Sequence, residues 1–576
     1  MPSMHWLGPV SRPFAQEPPK IPQMASRAPL VWIALIAYSL LAVAVFSSTW
    51  IDPAGSWIGS PKDPGLFIWY LGWIPHELAH GHNPLFTDYL SYPPGVNLMW
   101  NTSMVFPALV LWPITALFGP VVAYNVLITT GVGLSAWLGF LAARRFIDHQ
   151  VMSVAAGLVY GFSPALVAQA LGHPHVVVSF FPPVALILGD EIFVRRRMRP
   201  MAAGALSGLV AGLQLLTGEE LFAMTALIAA IGVALLALLH RDEVRSALPY
   251  VLKAAGAALF AFAIVAAYPL AFQFLGPQRV SGSLQRPDVY VSDLLAFVIP
   301  SRLINFTGNV TENGAYIGLP LLGLFAAGLV AGWRRPPIRW IGLMTLIVAA
   351  LSLGPHLHVN GSVTPIWLPW AALAQLPLVG SALPARLMAI AFLGIGIVAA
   401  GAFVIARTRV RRFATGFLLF AGLVAIAPSW PYPSAPAIAP AFFRPGGDVE
   451  RINPGAVVLI APFSSKQSTD AMYWQAVANY RFRMPEGDAF TPGPYLGPHP
   501  SFLQSALDQL DAGRALTVTP DLRARALADL ERFGVTTIVA GPSLGHAAIV
   551  VFLTQIEANP PVADQGVEVW WRVSSG

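Results

Sequence analysis

The sequence predicts a polytopic α-helical membrane protein of about eleven spans, followed by a C-terminal extracytoplasmic α/β domain. Three observations predict it. Of 576 residues, 56% are hydrophobic and 11% charged, with a mean hydropathy of +0.63; a soluble protein carries about 25% charged residues. Apolar runs long enough for a bilayer recur from Leu30 to about Ala427. From about Pro431 the composition turns to that of a soluble chain.

The first 28 residues are polar and Pro-rich and read as a cytoplasmic tail. The apolar run after them lacks a small-residue cleavage site, so it reads as a retained first span. The pI near 9.6 comes from arginines in short clusters between apolar runs, the pattern of cytoplasmic loops and not of a nucleic-acid surface. No cysteine is present, which excludes disulfides, thiolate metal sites and cysteine nucleophiles. The clusters are Arg144-Arg145, Arg195 to Arg199, Arg241 with Arg245, Arg334 to Arg339, and Arg407 to Arg412. Uncharged or acidic turns lie between them, "GHPH" at 172–175 and "TGEE" at 217–220, with longer loops at 275–315 and 356–385. Placing every cluster inside gives spans near 122–143, 151–171, 176–194, 201–217, 221–240, 252–273, 316–333, 340–355, 386–406 and 413–429 after the first. Segment 103–119 breaks that parity. It is short and carries Pro107 and Pro113, so it reads as a helix lying on or dipping into the outer face. The first outer loop then runs over 51–120, with the N-terminus inside and the C-terminus outside, in a multi-pass protein of the inner (plasma) membrane.

Beyond Pro431, "AVVLIAPF" (456–463), "VTTIVAG" (535–541) and "GVEVWWRV" (566–573) read as buried strands. "DLRARALADLERFG" (521–534) reads as an amphipathic helix stopped by Gly534. Strand–helix alternation predicts a small α/β unit over 431–576. No fixed-period repeat is visible.

One motif demands a decision. His76-Glu77-Leu78-Ala79-His80 spells H-E-x-x-H, in which two histidines a helical turn apart bind zinc and the glutamate activates water. Here Pro75 and Gly81 bracket a short amphipathic turn, His82 lies too close to be a convincing third ligand, and no later span carries an Asp in its middle. A metalloprotease is therefore the alternative reading, and a lipid or sugar transporter a further one that lacks inverted repeats.

The order of elements in "SPKDPGLFIWYLGWIPHELAHGHNPLFTDYLSYPPG" (60–95), ending in "LFG" (117–119), resembles the first outer loop of the GT-C superfamily of membrane glycosyltransferases. Bacterial aminoarabinose and protein-mannosyl transferases, and actinobacterial relatives, share this order. The resemblance covers the membrane region to about residue 430. It implies a polyprenyl-phosphate sugar donor, a glycan, lipid or protein acceptor, and a catalytic carboxylate at the start of the first surface helix, here Asp63. Many members carry an acidic residue at the outer end of the third span, where this chain has His173 and His175. That leaves a divalent cation as an open expectation, and no other cofactor is implied. An alanine- and arginine-rich composition points to a high-GC bacterium, a lipid-linked pentose and wall polysaccharide.

Glycosyl transfer from a lipid phosphate needs a base for the acceptor hydroxyl and a cation for the leaving phosphate. Asp63, followed by Pro64, also suits a helix N-cap. Lys62, His173, His175 and Arg386 are the candidates for donor and phosphate, Arg386 as an arginine at the outer end of a span. Its alternative role is a snorkelling anchor. Arg279, Arg286 and Arg302 in loop 275–315 are weaker phosphate candidates. Glu77, Glu219, Glu220, Glu312 and Tyr316 are candidates for contact with substrate; as interfacial carboxylates they need no such role.

Overall fold

The computed structural model describes residues 28–573, apart from 283, 285, 377, 378, 464–467, 494 and 497–499. The tail read as cytoplasmic thus lies outside the described residues up to 27. Apolar runs become helices throughout: α1 (Ala28–Val45), α2 (Pro64–Ala79), α3 (Val105–Phe118), α4 (Pro120–Ala143), α5 (Gln150–Gly161), α6 (Pro164–Gln169), the single turn α7 (Pro174–Val177) and α8 (Phe181–Gly189). A π-helical stretch, Asp190–Arg195, continues α8. Then follow α9 (Pro200–Leu215), α10 (Glu219–Leu239), α11 (Arg241–Leu275), α12 (Leu319–Gly332), α13 (Pro336–Ser352), α14 (Met388–Ile405) and α15 (Arg409–Ala425). Pro opens α2, α4, α6, α7, α9 and α13, where its missing N–H and fixed φ cost nothing. Among the described residues six helices are long and apolar enough to cross a membrane, and others in the predicted places are shorter. Segment 103–119 yields the 14-residue α3, which spans roughly 21 Å at 1.5 Å per residue. That is short of a hydrocarbon core of about 30 Å.

The C-terminal segment holds a four-stranded sheet. β3 (Val458–Ala461) runs parallel to β4 (Thr537–Ala540), which pairs antiparallel with β6 (Val567–Trp570), and β5 (Val562–Asp564) closes the edge. Gln565 and Gly566 both take positive φ in the two-residue turn between β5 and β6, as a twist-matched hairpin demands. Helices α16 (Asp470–Val477), α17 (Phe502–Asp511), α18 (Pro520–Phe533) and α19 (His546–Glu557) complete the segment. Gly534 ends α18 in the left-handed region, as the sequence predicts.

Alternation along the strands serves two cores. Leu459, Ile538 and Trp570 pack with α17, α18 and α19, whereas Val458, Ile460, Val539 and Val569 belong to the same apolar cluster as α2 and α4. The segment is therefore welded to the membrane region. β2 (Ser434–Pro436) pairs with β1 (Ser56–Ile58) of the first loop. Trp69 Nε1 donates to Gln475 Oε1 at 2.6 Å, and the Tyr480 hydroxyl donates to the Trp69 carbonyl at 2.8 Å. α2, expected as the first surface helix, is therefore covered by the C-terminal segment. Residues from Phe67 to Pro75 are buried without a break, because α16 covers the side a surface helix would show to solvent.

Candidate functional site

Asp63 sits where the sequence places it, immediately before Pro64 of α2, but its side chain makes no capping hydrogen bond. The carboxylate is thus free of the structural role that competed with catalysis. Its backbone is held from several sides. Asn125 of α4, fully buried, receives Ile58 N–H at 2.9 Å and donates to the Pro53 and Ser56 carbonyls. Ser60 N–H donates to the Leu171 carbonyl at 2.8 Å. The Thr469 hydroxyl donates to the Lys62 carbonyl. Gly172 completes the fit: a Cβ there would lie 2.8 Å from the Asp63 Cβ.

His175 lies inside the single helical turn α7, and His173 just before it. His173 leads α7 and points to Asp63, Nε2 to Oδ2 3.9 Å. His173 Nδ1 lies 2.8 Å from Gln169 Oε1 and 3.6 Å from Glu312 Oε1. Glu312 receives Arg386 Nη2 at 2.7 Å and Nε at 3.0 Å, and Gln169 Nε2 donates to its Oε2 at 3.2 Å. Arg386 also donates through Nη1 to Glu220 and, at 3.4 Å, to His175 Nε2. That leaves the ring proton of His175 on Nδ1, a buried atom with no partner among the described residues. Its ring packs 5.4 Å from that of Phe67, one turn along α2 from Asp63. One chain of contacts therefore runs Asp63–His173–Glu312–Arg386–Glu220.

Exposure grades along this chain. The Asp63 side chain is 41% exposed, His173 17%, and Glu312 1%. Burial raises the Asp63 pKa above the usual range, against the opposing pull of Lys62 and Arg386. Burial, aided by Arg386, pushes His173 down to about 4, so it is neutral at physiological pH. Glu312 stays below the usual value because Arg386, by charge and hydrogen bonds, overcomes its burial. A partly exposed carboxylate at the rim, backed by a neutral imidazole, can accept a proton; the buried pair behind it fixes the geometry.

The other candidates are placed as follows. Arg386 lies between two carboxylates, which engage most of its N–H groups. Among the described residues Glu219 makes no hydrogen bond or ion pair with the Arg386 cluster, whereas Glu220 next to it pairs with Arg386. Tyr316 packs against the apolar cluster of Ile317 and Leu321. Lys62 is exposed. Arg279, Arg286 and Arg302 are exposed and lack an ion pair among the described residues. Glu77 lies 3.5 Å from His82 and 3.9 Å from His76, at the far end of α2. There His80 caps the helix and spends Nδ1 on the His76 carbonyl at 2.7 Å. Among the described residues no three His, Asp or Glu side chains are grouped to hold a metal ion. At the rim, Asp63 and His173 supply two donors, with His173 Nδ1 occupied by Gln169.

Gln169 is the residue sequence reading missed. A glutamine inside an apolar helix, one turn before His173, is a signal in itself, since polar groups at membrane depth are costly.

The helices, the long first loop and the added sheet form a fold also found among solved glycosyltransferase structures. Two neighbours share it. One is the arabinofuranosyltransferase AftD from Mycobacteria, at 15% identity and TM-score 0.54, covering 95% of this chain and 40% of its own. The other is the Archaeoglobus fulgidus oligosaccharyltransferase AglB, solved with an inhibitory peptide and a dolichol-phosphate, at 13% identity and TM-score 0.52, covering 89% and 70%. An Archaeoglobus fulgidus oligosaccharyltransferase in complex with Zn and sulfate gives 14% identity and TM-score 0.52, covering 88% and 68%. This chain thus spans less than half the length of the arabinofuranosyltransferase. No curated protein matches it in sequence. Residues 34–427 match the model of the family described as "Domain of unknown function (DUF6311)", and the chain belongs to that family.

Proposed function

We propose that the protein moves one sugar from a polyprenyl-phosphate carrier to an acceptor hydroxyl on the extracytoplasmic side, with Asp63 as general base. The observation that carries this is the position of Asp63 in a GT-C fold: a partly exposed, uncapped carboxylate at the head of the first loop helix, backed by His173. The acceptor oxygen attacks the anomeric carbon, its proton passes to Asp63, and the carbon–oxygen bond to phosphate breaks with its electron pair on the leaving phosphate. Lys62, adjacent to Asp63 and exposed, is the cation assigned to that phosphate, with Arg279, Arg286 and Arg302 as further unpaired guanidinium groups; Arg386 positions the cluster. The dolichol-phosphate in the A. fulgidus neighbour supports a lipid-phosphate carrier.

The same reading includes eleven spans, cytoplasmic arginine clusters and a C-terminal domain over 431–576 on the outer face. Cysteines placed at 101 and 120 then both react with an impermeant thiol reagent from outside; reaction at 101 with protection at 120 overturns the topology. Function is tested by incubating purified full-length protein with labelled polyprenyl-phosphate pentoses and hexoses and a glycan, lipid or peptide acceptor. Transfer of label supports the reading. Release of peptide fragments instead, dependent on stoichiometric zinc, restores the protease.

A further inference from the structure

A cavity of about 1720 Å³ lies among α8, α10, α13 and α14, on the side away from Asp63. Its walls are apolar, with Leu186, Ile228, Met344 and Leu393 among them. It follows α13 from Pro336 to Val348 and α14 from Ile405 to Ile390, about 18–22 Å at 1.5 Å per residue. That matches one leaflet with its headgroup region, half of a bilayer about 40–45 Å thick. It stops one turn short of Arg386. Its other end is rimmed by charge: eight arginines against the four carboxylates of Asp148, Asp190, Asp242 and Glu243. Arg145 and Arg195 are spent on Asp190, at 2.9 and 2.6 Å. Arg197, Arg241, Arg334 and Arg335 have no ion pair among the described residues.

An apolar shaft the depth of a leaflet, opening onto unpaired guanidinium groups, complements an amphiphile with an anionic head. We infer that this cavity binds an anionic phospholipid of the arginine-side leaflet, its phosphate on Arg334, Arg335 and Arg241 and an acyl chain between α10 and α13. Basic pockets between membrane helices on the cytoplasmic side bind anionic head groups for this reason, and arginine matches phosphate geometry better than a point charge. A polyprenyl-phosphate donor is disfavoured here, because its phosphate must reach Asp63 at the opposite end of the shaft.

The test titrates delipidated full-length protein in detergent with phosphatidylglycerol, phosphatidylcholine, polyprenyl phosphate or inorganic phosphate. Bound lipid is counted by native mass spectrometry and the shift in Tm is followed. Phosphatidylglycerol is expected to bind at least about tenfold tighter than phosphatidylcholine, one decade being the differential of ~1.4 kcal/mol that a charged contact supplies. The doubly substituted Arg334→Gln/Arg335→Gln protein loses that preference while still binding chains weakly. Arg241→Gln weakens it independently, should the double variant fail to fold. Ala229→Trp, at an exposed wall position, blocks the shaft and abolishes binding of both lipids. Equal affinity for the two phospholipids, or a preference that survives the arginine substitutions, means annular lipid and overturns the inference. So does displacement of phosphatidylglycerol by equimolar polyprenyl phosphate, or by inorganic phosphate at the same concentration.

Discussion

The two ends of α2 carry similar side chains in contrasting surroundings. At the N-terminal end Asp63 faces His173, and behind them Gln169, Glu312, Arg386 and Glu220 form a buried set in which nearly every polar atom has a partner. At the C-terminal end, His76, Glu77, His80 and His82 match a zinc-protease motif letter for letter. Yet His80 bonds its own helix backbone and the His82 side chain is 66% exposed. A chemical site needs its reacting groups held by a second layer of contacts. The end without a motif has that layer throughout, whereas at the motif end it reaches only as far as His76, which bonds Asn479 and packs on Tyr480.

Breaking the supported end gives the largest effects. Asp63→Asn keeps the shape and removes the basicity, so transfer falls by about 10²–10⁴-fold with Tm and donor binding retained. Near-normal turnover would return Asp63 to a purely structural role. Glu312→Ala leaves Arg386 buried with half its compensation, a loss of about 3–5 kcal/mol of stability typical of a broken buried pair. Denaturant unfolding in detergent reads it, and a loss below ~1 kcal/mol would mean that the pair is not closed in the folded protein. Gly172→Ala forces a Cβ against Asp63; a shift of about 1 Å in a reacting group costs about 10² in rate. The signature is a lower kcat with unchanged donor KM, and an unaffected kcat would show that Asp63 tolerates displacement.

The pH profile sharpens the same contrast. Because the Asp63 pKa is raised, the base is protonated over more of the acid range, and kcat/KM climbs with pH along a limb above the usual Asp value of ~3.9. Lys62→Gln removes a charge that lowers that pKa, so the limb moves to higher pH; movement the other way contradicts the assignment. The smallest effect belongs to the motif end. His80→Ala changes stability by less than about 0.5 kcal/mol and transfer by about twofold or less. Loss of a stoichiometric zinc ion together with activity in that variant would reverse the comparison.

Much of the architecture was legible in the residues. Apolar length and arginine clusters give the helices and their order, since burying a backbone in lipid leaves few alternatives to helix. Alternation and Gly534 give the strands and the stop of α18. Asp63, His173, His175, Glu220, Glu312 and Arg386 could each be named, because polar residues in an apolar chain are conspicuous. Their grouping was not legible, nor was the choice of Glu220 over Glu219: neighbouring residues on a helix point about 100° apart, and packing decides which meets Arg386.

The sequence by itself determined a membrane-embedded helical chain, a carboxylate at the head of the first loop helix and a C-terminal segment in which strands alternate with helices. These follow from local terms: hydropathy, helix starts and turn chemistry. Tertiary structure decided that α2 is buried beneath α16, that Arg386 is paired with Glu220 and Glu312, and that His173 reaches from Asp63 to Glu312. Each of those depends on contacts between residues tens to hundreds of positions apart, such as Arg386 with Glu220 or Gln475 with Trp69. Such pairings are fixed by how the helices pack, which no local pattern encodes.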